Sequence, residues 1–587
     1  MLKSAAPGLS RRQWLSLAAV PTLATAIPAY GAAAESVVSL SSSSAAGNDL
    51  GARTYNIRDF GAVGDGKAND TPALQAAIDA CTKDGGGKVL VPAGAFHIGA
   101  TQLKSNVTLS LAAGATLLGA AHADVYHEVN QIPLSGDSTL GDGNWALLYA
   151  VEAQNVTVEG PGKIDGQGFL FHSPARGTPS PAGLSGSHRP YHILAYRCEN
   201  LTVRNLTLVD CAFHSIRVIQ SHDVLMDGLH IHSRVNSNND GFHFISCEHV
   251  NITNCNLECQ DDACALFGSC RFIMVTNCSF STRWSIFRFG GGVAENVVVS
   301  NCIIWECYGC PFKLACGPGG RLENMSFSNI ILKEVTGPIN ISAGRYRRRN
   351  NATQPAATQA AVLEAETEPA SQPATQPRPP AVVRNISFSN IHGTITTNPP
   401  QLRDTKHFSN YNPGEKFSAI VINAVNDAIV ENISFDNIHL TFGGGGTAEM
   451  GARRDVPQIS GEYFALGPIP AYGFYARNAK GLTLTNIRLQ VASAELRPAI
   501  ILENVHDAAI SGLAAAGNEG AESLMRMSNC SDILVTSPRT LTAVPLFLQM
   551  EGEKIEAITI EGGDISKAGK VLNASGGAEA SVVKLRI

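Results

Sequence analysis

The sequence predicts an all-β solenoid, a single-stranded parallel β-helix with a capping helix at its N-terminal end. Three observations predict it. First, a short unit recurs, as ENLTVRNLTL, SHDVLMDGLHI, CEHVNITNCNL, CRFIMVTNCSF, AENVVVSNCII and LENMSFSNIIL, then as RNISFSNIHG, ENISFDNIHL and KGLTLTNIRL. Second, each copy alternates apolar and polar residues, the period of a strand and not of a helix. Third, the late asparagine of each copy, at 205, 254, 277, 301, 329, 390, 437 and 486, recurs at 23 to 28 residues or at about twice that. A unit this short cannot bury its apolar face alone, so copies must stack. Stacked coils lie roughly 4.8 Å apart, which makes residues one repeat apart in sequence neighbours in space.

Residues 1–34 read as an export signal: Arg11 and Arg12 precede a short apolar run broken by Pro21 and Pro28, with small residues at Ala32 to Ala34. Ser10-Arg11-Arg12-Gln13-Trp14-Leu15 resembles a bacterial twin-arginine signal, so the mature protein is expected in the periplasm or outside the cell. Residues 35–53 are a Ser/Ala-rich linker. From Asp70 to Ile78 the pattern is that of a capped amphipathic helix with Pro72 near its first position, a lid for the first coil. The solenoid is expected over 54–344 and again over 384–587. Between them, 345–383 is rich in Pro, Ala, Thr and Gln and reads as a low-complexity insertion whose Arg345 and Arg347 to Arg349 suit a solvated basic loop. Many Asn-X-Ser/Thr sequons fall inside the repeat, which itself explains them: Asn suits bends, and Thr or Ser suits strands.

Composition excludes little but points away from nucleic acid: 587 residues carry a formal net charge of −6, with only 16% charged residues. No segment beyond the signal is long and apolar enough to span a bilayer. Twelve of the fourteen cysteines lie between Cys198 and Cys316, several in one repeat phase (Cys255, Cys278, Cys302), which suggests stacked core thiols in place of a disulfide framework. Cys307 and Cys310 form one CxxC with no second pair at zinc-ligand spacing, so no metal ligands are assigned.

Against this background NSNNDGFHF (236–244) and CQDDACALF (259–267) place Asp240, Asp261 and Asp262 about one coil apart. Aligning the strands that follow gives a column of Arg217, His243, Ala265, Arg288 and Lys313, a basic strip beside a carboxylate cluster. Crowded carboxyls push one pKa up. An acid beside ionised partners suits glycoside cleavage, with one group protonating the leaving oxygen and another activating water. The basic strip suits carboxylates of a uronic-acid polymer. On spacing alone, polar turn residues or a calcium site explain the aspartates as well.

NNDGFHF and QDDACAL resemble the NTD and DD motifs of glycoside hydrolase family 28, the polygalacturonases and rhamnogalacturonan hydrolases. Ile57 to Ala62 with Gly64-Asp65-Gly66, and Gly162 to Gly168, extend the resemblance over about 54–340. It implies a right-handed parallel β-helix of the pectin-lyase type and an inverting hydrolase without a cofactor. Asp261 would be the general acid, with Asp240 and Asp262 activating the water. Arg217, His243, Arg288, Lys313 and the stacking residue Trp284 would bind substrate. Asp261 and Asp262 can share a cleft only if the chain bends just before the strand. Three departures mark a divergent member. The motif threonine is Asn239, no histidine stands near Ser285 where the family has one, and the family's RIK segment reads Pro311-Phe312-Lys313. These departures change the sugar subsites more than the acid and base, so the expected substrate is a pectic or other acidic glycan that differs from polygalacturonic acid. A β-elimination lyase and a non-catalytic glycan-binding β-helix are the alternatives. Oligomeric state is not legible in the residues.

Overall fold

Alternating burial along many of the strands is what makes these segments coil and stack, while the strands of one face, such as Tyr191–Tyr196 and Ile216–Ile219, are buried along their whole length. Val107–Leu111 and Ala115–Gly119, for example, bury every second residue. The structure, a computed structural model, describes residues 53–132, 143–172, 180–345, 378–405 and 411–586. The expected signal, nearly all of the linker, and residues 346–377 of the insertion lie outside the described residues. No described helix is long and apolar enough to cross a membrane.

Each coil contributes to parallel ladders. Tyr191–Tyr196, Glu199–Arg204 and Thr207–Val209 pair with Ile216–Ile219, His222–Asp227 and His230–Ser233 of the next coil. The inward side chains form one core that runs from Tyr55 to Ile565. Within it Phe327, Phe388 and Phe435 stack at 4.8 and 5.1 Å between ring centroids. All fourteen cysteines are free and buried in the structure. After Ala343 the ladder resumes at Val382, opposite Arg321, slightly inside the segment expected to be insertion.

The eight repeat asparagines all adopt left-handed backbone, with φ between 49° and 59°. Asparagine tolerates this conformation because its short side chain bonds locally, whereas other L-residues pay a steric penalty. The amides also bond from coil to coil: Asn390 donates to Asn329 at 3.0 Å and accepts from Asn437 at 2.8 Å. Asn390→Ala is therefore expected to cost about 2 kcal/mol, from left-handed strain plus two exposed hydrogen bonds. Asn390→Gly should recover roughly half of that, because glycine removes only the strain. Denaturant melts of the two variants check this.

The lid is helix α1, Thr71–Lys83, which buries Ala73, Leu74, Ala77, Ile78 and Cys81. Its N-cap, Asp70, makes no side-chain cap bond. The carboxylate instead accepts from the Val63 and Gly64 amides at 2.6 and 3.1 Å, pinning the preceding turn to the helix.

Candidate active site

Five consecutive strands of one ladder carry or immediately follow the predicted residues: β1 (Ile216–Ile219), β2 (Phe242–Ile245), β3 (Cys264–Phe267), β4 (Ser285–Gly290) and β5 (Cys310–Cys316). Ile216, Phe242, Cys264, Phe287 and Phe312 point into the core. The alternation of a strand then sends the next residue outward. The register pairs Arg217 with His243, His243 with Ala265, Ala265 with Arg288 and Arg288 with Lys313, the column read from the sequence.

Phe242 pairs with Cys264, and counting back from it sets Asp240 opposite Asp262, with Asp261 opposite Asn239. The chain bends at Gln260, Asp261 and Ala263, immediately before β3, as a shared cleft requires. Asp240 and Asp262 are buried, at 5% and 2% exposure, whereas Asp261 is partly exposed. Asp261 accepts the Asp262 amide at 2.9 Å. Asp262 accepts the Ser285 amide at 3.1 Å and the Arg288 guanidinium at 2.8 Å. Ser285, where a family histidine was expected, thus meets Asp262 through its backbone.

Asp240 is held by histidines. His243 Nδ1 lies 2.9 Å from its Oδ2, and His214 Nε2 lies 3.8 Å from its Oδ1. The two imidazoles stack at 4.4 Å, and the stack continues through Phe267, over which Arg288 sits at 4.9 Å. Burial holds both histidines well below the usual imidazole pKa, and the nearby Arg217 reinforces this in each case. Neutral His243 then donates to Asp240, which favours the carboxylate. Burial opposes the charge of Arg288, but Asp262, Glu462 and Asp261 outweigh it and raise its pKa.

Because His214 and His243 titrate lower in the folded than in the unfolded chain, the unfolded state takes up protons first as pH falls. Their contribution to stability is constant above about 6.5, the unfolded value, and declines below it. His243→Gln should flatten the fall in denaturant midpoint between about pH 6.5 and 5, the range where only the unfolded imidazole protonates.

Asn239, in place of the family's threonine, organises the turn before Asp240. Its carbonyl accepts from Val235 and Asn236 at 3.0 and 2.7 Å, and its amide donates to the Cys211 and Phe213 carbonyls at 2.8 Å each.

The remaining predicted residues are engaged with neighbours. Arg217 is fully buried and donates to the Tyr191 hydroxyl at 3.0 Å. Lys313, at 5% exposure, is paired with Glu462. Trp284 is half-buried, stacked under Arg283 at 4.4 Å and 6.3 Å from Phe464. Trp145 packs against the core, and Trp305 donates to Ser279 at 3.1 Å.

Glu462, Glu415 and His214 were missed by sequence reasoning. Glu415 forms a fully buried pair with Arg283 at 3.0 Å. Its signal was readable, since Asn412-Pro413-Gly414-Glu415 is a capping box around a short helix. His214 lies one coil before Asp240, the same 26-residue step as Arg217 to His243. Glu462 sits in a segment without repeat periodicity and had no such signal.

Loops cover both ends of the outward strip. Val129 and Ile132 pack with Tyr149, Tyr191 and Phe213 on the upstream coils. Val456, Leu466 and Ile469 cover Val421, Tyr475 and Ile501 downstream. Between these covers, Asp261, Trp284, Arg288, Glu462 and Phe464 are partly exposed.

Two groups among the described residues have donors suited to a cation: His214, Asp240 and His243, and the exposed Glu199, His222 and Asp223, each with ligand atoms within 4.8 Å. In the first, a cation would compete with the hydrogen bond between His243 and Asp240. The partly exposed carboxyl of Asp261 beside two buried, oriented carboxyls can supply a proton on one side of a bond and remove one on the other.

The family model for glycosyl hydrolases family 28 matches residues 81–367. A probable polygalacturonase of Vitis vinifera is 30% identical over 302 residues, covering 50% of this chain and 57% of that protein. An exo-poly-alpha-D-galacturonosidase of Dickeya chrysanthemi is 25% identical over 339 residues, covering 48% and 56%. The chain thus spans little more than half the length of these curated relatives. Among solved structures, the Yersinia enterocolitica family 28 exopolygalacturonase superposes with a TM-score of 0.53 at 18% identity, covering 78% of each chain, which shows a shared fold.

Proposed function

We propose, from the premise that this chain belongs to the glycosyl hydrolases of family 28, that it hydrolyses glycosidic bonds of a pectic or other uronic-acid-containing polysaccharide by a single, inverting displacement. Asp261 protonates the leaving oxygen, and Asp240 with Asp262 draws the proton from the attacking water. The observation that carries the reading is the difference in environment within one cluster. Asp262 is fixed by Arg288 and the Ser285 amide, Asp240 by His243, and Asp261 alone of the three is partly exposed. Two anchored carboxylates suit the base, and the accessible carboxyl suits the acid.

The covers over both ends of the strip support attack from a chain end, because a polymer threading a groove would meet Val129 and Ile132 on one side and Leu466 and Ile469 on the other. Export through the N-terminal signal completes the reading, placing the enzyme where a polysaccharide is met. The test is digestion of a panel of pectic polymers with product sizes followed in time. Short products from the start, little loss of viscosity, saturated ends and indifference to EDTA are expected. Early mid-sized fragments would refute attack from the end, and unsaturated, ultraviolet-absorbing ends would favour a lyase.

A further inference from the structure

Lys313 is the cation expected to take a substrate carboxylate, yet its ammonium already holds the carboxylate of Glu462 and is only 5% exposed. Glu462 is not a stray surface group. Gly461 beside it accepts the Asn340 amide at 3.0 Å, and Asn340 follows Lys313 in the outward column. Ser460 bonds Ser342 at 2.7 Å. On the other side, the Tyr463 hydroxyl donates to the Gly309 carbonyl at 2.6 Å, and its ring is buried. Three successive anchors, on residues 460, 461 and 463, therefore present Glu462 to Lys313.

The same pattern recurs next door. Arg288 faces Asp262, and Arg283 faces Glu415, which is delivered by a short helix, Pro413–Lys416, outside the repeat. A uronate carboxylate brought to Lys313 would meet Glu462 as a like charge and would have to break a nearly buried pair. An uncharged sugar meets no such obstacle. Its hydroxyls can donate to Glu462 and accept from Lys313 without displacing either. Phe464, two residues from Glu462, and Trp284, 6.3 Å from Phe464, are both half-buried and offer faces for the sugar's C–H groups.

We propose that the sugar unit seated beside Lys313 is uncharged, a neutral sugar or an esterified uronate, read by hydroxyl hydrogen bonds to the Lys313–Glu462 pair. This rests on the hydrolase reading for its location and narrows the acidic substrate to one carrying an uncharged unit at that position.

The test is calorimetric binding of three matched ligands to the full chain: a galacturonan oligosaccharide, its methyl ester, and its carboxyl-reduced form. The free acid should bind at least about tenfold more weakly than the better of the other two. Tight binding of the ester alone identifies an esterified uronate, and tight binding of both identifies a neutral sugar. Glu462→Gln should close most of that gap by releasing Lys313, with the gain for the free acid largest at low salt. The proposal is overturned if the wild type binds the free acid as well as or better than the others, if it binds none of the three, or if folded Glu462→Gln leaves the ratio unchanged. Should that variant not fold, the wild-type comparison still decides. Binding without cleavage would count against the hydrolase reading and leave this one standing.

Discussion

Asp261→Asn is expected to lower kcat/KM on a natural glycan by about 10²- to 10⁴-fold, the contribution of a positioned general acid, with little change in melting temperature. The asparagine retains a carbonyl oxygen that can accept the Asp262 amide, as Asp261 does at 2.9 Å, so the bend before β3 is preserved while the proton is lost. The loss should shrink on an aryl glycoside, whose leaving group departs without protonation. That selective rescue separates an acid from a residue that merely shapes the cleft. Undiminished turnover of the natural glycan by Asp261→Asn would remove Asp261 from the mechanism.

Glu415→Ala should be the most destabilising single change at the site, by about 3–5 kcal/mol, because it leaves a buried guanidinium without its counter-charge. Arg283 is fully buried between the rings of Trp284 and Tyr411, each at 4.4 Å, and it also donates to the Tyr308 carbonyl at 2.9 Å. Glu415 also accepts the Asn412 amide, so its loss undoes the capping box of the segment beside Trp284. Burial raises the Glu415 pKa and Arg283 opposes that rise, as expected for a carboxylate kept out of water by its partner. Thermal melts and limited proteolysis read the effect, with cleavage near residues 411–417 appearing first. Replacing both partners, as Arg283→Met with Glu415→Leu, should restore most of the stability, since an apolar pair of similar volume needs no counter-charge. If Glu415→Ala melts like the wild type, the pair contributes nothing.

The solenoid and its register were legible because a β-helix writes its contacts into the sequence at a near-constant interval. Arg217, His243, Ala265, Arg288 and Lys313 form one column in the sequence alignment and in the strand register alike. The left-handed bends were legible for the same reason, since asparagine fills 20 of the 36 left-handed non-glycine positions among the described residues. What covers the strip was not legible. Glu462 reaches Lys313 across 149 residues, and Glu415 reaches Arg283 across 132, from segments that obey no period. The sequence could therefore place the cations without revealing that their partners were already present. The environment of the aspartates was partly hidden too: 21 residues separate Asp240 from Asp261, but the step of 22 that pairs His243 with Ala265 puts Asp262, not Asp261, opposite Asp240.

Hydrolysis of a bond at this cluster by one displacement leaves its mark on the stereochemistry of the product. It is tested most directly by following the anomeric configuration of the freshly released product by NMR, on the glycan that the wild-type protein cleaves. The expected product is saturated, with an anomeric configuration inverted relative to the scissile bond before mutarotation. A retained anomer, or an unsaturated end, would contradict single-displacement hydrolysis.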